Sequence, residues 1–178
     1  MTKSALAAEL LRCGLRRYWQ ASQAYVRNAV TLQVQQVGDA PFGRSHLGGA
    51  ADMPHTWPWP YRGDAPLSLI AQINFADCQG FDMNGMLPES GMLYVFYDCA
   101  DGGWGSEPKD RDGFCVWYYD GDRAFLRRRE NPAGQGFPAA ALQCGRRWEV
   151  PDRECWLIRD YWWEDFENIA WWERWDKF

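Results

Sequence analysis

Long apolar runs, a signal-peptide layout and every common catalytic signature are missing from this chain. No window approaches the roughly 18 consecutive apolar residues of a membrane-spanning helix. The amino-terminal leucines are interrupted by Arg12, Arg16 and Arg17, where a signal peptide would carry a continuous apolar block. A cytoplasmic protein without membrane contact is the expectation. The only two histidines, His46 and His55, stand nine residues apart in a Pro-rich stretch, so they cannot form the i, i+4 metal pair of a helix. HExxH, Walker A, GxSxG and GxGxxG are all lacking, so no cofactor or metal is implied and the catalytic inventory is thin, with His46 as the one acid–base candidate. The six cysteines (Cys13, Cys78, Cys99, Cys115, Cys144 and Cys155) include no CxxC pair and no partner histidine at zinc-finger spacing. Without a signal peptide they read as small core residues, not as a disulfide framework.

Excess positive charge is lacking as well. A net charge of -5 and a pI near 5.0 argue against non-specific nucleic-acid binding and against anionic membranes, both of which need surplus Lys and Arg. A basic protein partner is favoured instead. What the chain does have is apolar bulk: 47% hydrophobic residues with 12 Trp, 9 Phe and 8 Tyr among 178 residues, enough for the core of one domain spanning 1–178.

Ser4 to about Asn28 spaces Leu6, Leu10, Leu11, Tyr18, Ala21 and Tyr25 at near-helical intervals, which predicts an amphipathic helix with a kink or break at Gly14. Thr31–Val37 alternates Leu32 and Val34 with Gln33 and Gln35, predicting a strand with one apolar and one polar face. From Arg44 to Asn74 the chain crowds Gly48, Gly49, Pro54, Pro58, Pro60, Gly63 and Pro66 around Trp57 and Trp59. That composition opposes helix and strand alike and predicts a rigid rim loop. The rim leads into a buried strand over Leu67–Asn74, where Gln72 and Asn74 share one face. Either they tie down the rim's backbone or they line a pocket. Two further strands follow, MLYVFYD and FCVWYY, and AFLRRR continues the antiparallel meander, with Asp-Gly turns at 112–113 and 120–121. Asp110, Asp112 and Gly113 echo part of a calcium loop, but Pro108 and Tyr119 stand where its first and twelfth ligands belong, so a surface turn is expected there.

Four blocks in order, SHLGGAADMPHTWPWP, PLSLIAQINF, LPESGMLYVFYD and EPKDRDGFCVWYYDGD, resemble the YwqG-like bacterial domain of unknown function over about Arg44–Asp122. The resemblance implies an α+β fold with a large, mainly antiparallel, meander-like sheet and amino- and carboxy-terminal helices packed on it. It implies bacterial cytosol and no established activity, cofactor or catalytic residue. His46 stands where family members usually have Lys, and a further Gly-Tyr-Pro region is missing, so the chain is either a shortened variant or finishes its sheet edge differently.

The carboxy terminus is expected to do so. ALQCGRRWEVP and ECWLIRD read as strands, and the last nineteen residues hold more aromatics than one helix face can bury. Trp163, Trp171 and Trp175 lie off the main stripe beside Glu164, Asp165, Glu167 and Asp176, a combination expected either in a clamped helix or in a partner-binding or self-association surface. Two functions follow. One is a non-enzymatic, Trp-rich, acidic protein-binding module of immunity or antitoxin type that occludes a basic toxin. The other is a small-ligand-binding or hydrolytic protein with a site under the rim built from His46, Trp57, Gln72, Asn74 and Asp110, with Asp52, Asp64 or Asp110 orienting His46.

Overall fold

A computed structural model describes residues 2–100, 103, 105–152 and 155–156. In chain order its elements are α1 (Lys3–Arg12), α2 (Arg16–Ser22), β1 (Arg27–Val37), β2 (His46–Leu47), β3 (Ala51–Pro54), β4 (Tyr61–Arg62), β5 (Ala65–Pro66), β6 (Ser68–Asn74), β7 (Met92–Tyr97), β8 (Phe114–Tyr119), β9 (Leu126–Arg129) and β10 (Ala140–Glu149), with short 3-10 turns between some of them. The chain divides into two compact units. One comprises residues 1–31, 82–84 and 146–178, and the other residues 32–81 and 85–145.

In the first unit the predicted amphipathic helix is broken where glycine allows it. Thr2 caps α1 by accepting the Ala5 amide at 3.1 Å. Gly14 then turns the chain at φ 77°, a conformation costly for any residue with a Cβ, and α2 restarts at Arg16. Leu6, Leu10, Leu15, Tyr18 and Val26 form the core of this unit, with Trp19, Trp148 and Val150 against it. The Tyr18 hydroxyl donates to the Pro151 carbonyl. The expected carboxy-terminal helix falls within 157–178, outside the described residues.

Strand order in the main sheet is β1-β10-β2-β6-β7-β8, and the β10–β2, β2–β6, β6–β7 and β7–β8 pairings are all antiparallel. The second unit's core lies on one face of β6–β8. Leu69, Met92, Tyr94 and Phe96 meet Met53, Trp59, Leu67 and Leu126 there. Trp57 stands edge-on to Tyr94, Trp117 and Tyr119 at 6.2, 5.4 and 5.5 Å, and the Trp59 indole N–H donates to the Leu67 carbonyl at 2.9 Å. Rings at such angles add to simple area burial, so both rim tryptophans are packing residues.

Three expectations need correction. AFLRRR does not extend the meander: Leu126–Arg129 leaves β8 and pairs with β3 in a separate two-stranded sheet, because burying Leu126 and pairing Arg128 with Asp52 draws it to the rim. The rim is not free of strand either, since β3 is a fully buried four-residue strand; its proline comes last, where a missing amide interrupts least. Finally, β1 buries no apolar face. Leu32, Val34 and Val37 are all exposed, because β1 is an edge strand whose outer half has no covering layer among the described residues.

Candidate functional site

The rim's buried polar network grows from two cross-strand pairs. His46 on β2 lies opposite Gln72 on β6, and Asp52 on β3 lies opposite Arg128 on β9. Asp52 is fully buried, which is tolerable only because four N–H groups converge on its carboxylate. Arg128 binds it through Nε at 2.8 Å and Nη2 at 3.0 Å; the Gly43 amide donates at 2.6 Å and the Gln72 amide at 3.3 Å. Such a fork satisfies a buried charge in both geometry and sign. The carboxylate in turn raises the pKa of the Arg128 guanidinium, mainly through the hydrogen bond.

Gln72 spends its remaining capacity on backbone: its oxygen accepts the Asp52 amide at 2.7 Å and its nitrogen also donates to the Arg44 carbonyl at 3.0 Å. Asn74 donates to the Gly43 carbonyl at 2.8 Å and accepts the Ala76 amide at 3.0 Å. Ser45 and Arg44 anchor the same segment through Asp77, the hydroxyl at 2.9 Å and the guanidinium at 2.9 Å. The Tyr94 hydroxyl closes the network on the Asp52 carbonyl at 2.6 Å. Residues 43–52 are thus held from four sides, and the two amides act on rim backbone.

His46 differs from the rest. It is 1% exposed, its Nδ1 lies 2.9 Å from the Gly48 carbonyl, and its Nε2 is buried with no hydrogen-bond partner among the described residues. A carbonyl can only accept, so Nδ1 carries the proton and Nε2 presents a lone pair. Burial lowers the pKa of this imidazole, opposed by the Gly48 carbonyl and by the nearby Asp52 charge, and neutral imidazole is the form favoured near pH 7. Asp52 does not orient the ring, because its oxygens face Arg128, Gly43 and Gln72. His46 lines an open cleft of about 220 Å³ with Asp39, Arg128, Glu130, Gly49 and Pro138. Among the described residues the cleft is lined by no serine, threonine or cysteine, and its volume is below the roughly 300 Å³ at which drug-sized ligand pockets begin.

Of the predicted ligand residues, His46 and Gln72 come together with Asp52. Only His46 of them lines the cleft; Gln72, Trp57, Asn74 and Asp110 do not. Asp110 belongs to the 3-10 turn Pro108–Gly113, where it and Glu107 form a reciprocal capping box. Among the described residues no group of three potential ligands gathers as for a metal. Trp163, Glu164, Asp165, Glu167, Trp171, Trp175 and Asp176 lie outside the described residues.

A second surface was not anticipated as a site. On β8 the side chains alternate, with Cys115, Trp117 and Tyr119 half-buried beside the core and Phe114, Val116 and Tyr118 pointing the other way at 51%, 54% and 42% exposure. Their partners on β7 are Tyr97, Val95 and Leu93, so two strands present one continuous apolar face. A strand was readable from the apolar run FCVWYY; that its second face lacks a cover among the described residues was not.

The sequence profile of a domain of unknown function, DUF1963, matches residues 45–167. The chain belongs to the DUF1963 family. The match begins at Ser45, two residues into the rim network, and takes in the whole meander and both cross-strand pairs. No curated protein matches the sequence. No helix among the described residues is long and apolar enough to cross a membrane.

Proposed function

We propose that this DUF1963 member is a YwqG-like protein-binding module, of the immunity or antitoxin kind that occludes a basic toxin. The YwqG-like reading draws on the four ordered blocks between Arg44 and Asp122. The observation that carries the binding role is the apolar face on which β8 exposes Phe114, Val116 and Tyr118 beside the half-buried Leu93, Val95 and Tyr97 of β7. Contiguous apolar surface with aromatic members is what protein interfaces use, and exposing it in a lone molecule costs solvation free energy that a partner would recover. The chain's net charge of -5 steers a basic partner toward it. The tagged full-length protein, used as bait in extract of its native host, should retain one basic protein in near-equimolar amount; an empty bait rules the proposal out.

A second reading has its own support in His46. A buried lone pair at the edge of a cleft suits a small solute with an N–H or O–H donor, with the Arg128 guanidinium alongside. The size of the cleft confines such a solute to a few atoms. Crystals soaked in small amides or alcohols would test it: a bound solute within about 3 Å of Nε2 supports the reading, and water alone there removes it.

A further inference from the structure

Strand β8 ends the main sheet. Among the described residues, no backbone hydrogen bond joins Phe114–Tyr119 to anything except β7. One row of its N–H and C=O groups is therefore unpaired among the described residues. Native proteins blunt such edges with lysine, proline, a bulge or a covering segment. β8 carries no charge and no proline, and its register with β7 is unbroken over all six residues, whereas β6 and β7 slip between Leu69 and Ala71. It is a straight pairing template, and its apolar residues supply anchors at alternate positions.

Its two ends decide what pairs with it. Before Phe114, Glu107, Asp110 and Asp112 outnumber Lys109 and Arg111; after Tyr119 come Asp120 and Asp122. Arg123, the next cation, is turned toward the Gly43 carbonyl at 3.3 Å. Antiparallel pairing of β8 with a second copy, centred on Val116, would bring Asp112 of each chain to Asp120 of the other. Centring it on Trp117 would bring Asp112 to Asp122. Like charges facing across strands are destabilising, so charge opposes self-pairing and complements a basic strand.

We propose that β8 is an acceptor edge for strand addition: an extended segment of a partner protein, apolar at alternate positions and flanked by Lys or Arg, pairs with Phe114–Tyr119 and sets its side chains beside Phe114, Val116 and Tyr118. This is a recurring mode of recognition, in which main-chain bonds give affinity and alternate side chains give selectivity. It rests on the protein-binding reading and adds to it the binding edge and the chemistry of the bound segment.

A displayed library of random twelve-residue peptides, selected on the full chain, provides the test. Selected peptides should share apolar alternation with basic ends, protect the amides of residues 114–119 from hydrogen exchange, and lose affinity at least about tenfold on Val116→Lys, one decade being about 1.4 kcal/mol. Val116→Thr, uncharged and compatible with a strand, should bind as the parent does. Val116 is exposed, so its substitution should leave the fold intact, and Phe114→Lys, at a position 51% exposed, supplies a second edge charge if Val116→Lys does not fold. Enriched peptides indifferent to both charges, or no enrichment, overturn strand addition. Concentration-dependent protection of 114–119 in the chain alone would make the occupant a second copy and overturn it too. If the host partner is captured by the parent and lost on Val116→Lys but leaves the amides of residues 114–119 unprotected, strand addition fails while the protein-binding reading stands.

Discussion

Replacing Asp52 by Asn should be among the most destabilising single-atom exchanges available in this protein. Asp52 is fully buried and accepts from Arg128, Gly43 and Gln72 at 2.6 to 3.3 Å. An amide of the same shape keeps one accepting oxygen but turns an N–H toward groups that are themselves donors. Breaking a buried ion pair costs about 3–5 kcal/mol. The Arg128 side chain is about one third exposed, so water relieves part of its loss, and about 3 kcal/mol is expected for Asp52→Asn. Arg128→Met should cost more, about 4 kcal/mol, because it strands a carboxylate that water cannot reach. The double variant should fall short of the sum by more than about 1 kcal/mol, since neither charge is then left alone. Urea unfolding followed by tryptophan fluorescence measures all three. A loss below about 1 kcal/mol for Asp52→Asn, or strict additivity in the cycle, would refute the reasoning.

Because burial holds the folded-state pKa of His46 below its ordinary 6.5, the unfolded chain binds the proton first as pH falls. Its contribution to stability is complete above about pH 6.5 and is lost as pH drops from there toward the folded-state value; His46→Asn should flatten that part of the stability–pH curve, and an unchanged slope would contradict it. Gly49 sits at φ 69° with the Ala139 methyl only 2.7 Å from where a Cβ would stand, whereas Gly63 at φ 56° has open space. Gly63→Ala should therefore lose only the left-handed strain of about 1–2 kcal/mol, and Gly49→Ala measurably more in the same urea assay; equal losses would mean that residues 137–139 yield freely. Tyr94→Phe removes the hydroxyl that donates to the Asp52 carbonyl and should cost about 1 kcal/mol.

Short apolar runs punctuated by turn residues made the meander legible. The strands over 68–74, 92–97 and 114–119 are short, mainly apolar runs bounded by turn residues, so local pattern and tertiary structure agree. Gly14 was legible for the same reason: a helix interior has no use for it. The departure of β9 was not, since nothing local in LRRR distinguishes a meander strand from one drawn to a buried carboxylate 76 residues earlier. Arg128 was missed as a site residue on that account, although three arginines in a row within a strand must place at least one on the inner face, and that was the available signal. His46 was recognised by residue type alone. That its Nε2 finds no hydrogen-bond partner among the described residues is a property of packing. The exposed side of β8 is a property of what does not cover it, which alternation alone cannot report. At Asp112–Gly113 and Asp120–Gly121 neither glycine takes positive φ. The first pair closes a 3-10 turn instead, so the dipeptide marked the break in chain direction but not its geometry.

The binding role is most directly tested by quantifying what the full-length chain retains from native-host extract, with parent and Val116→Lys baits side by side. The account predicts one basic protein near equimolar with the parent bait and depleted at least tenfold on the variant. A parent bait that retains no stoichiometric protein would contradict it.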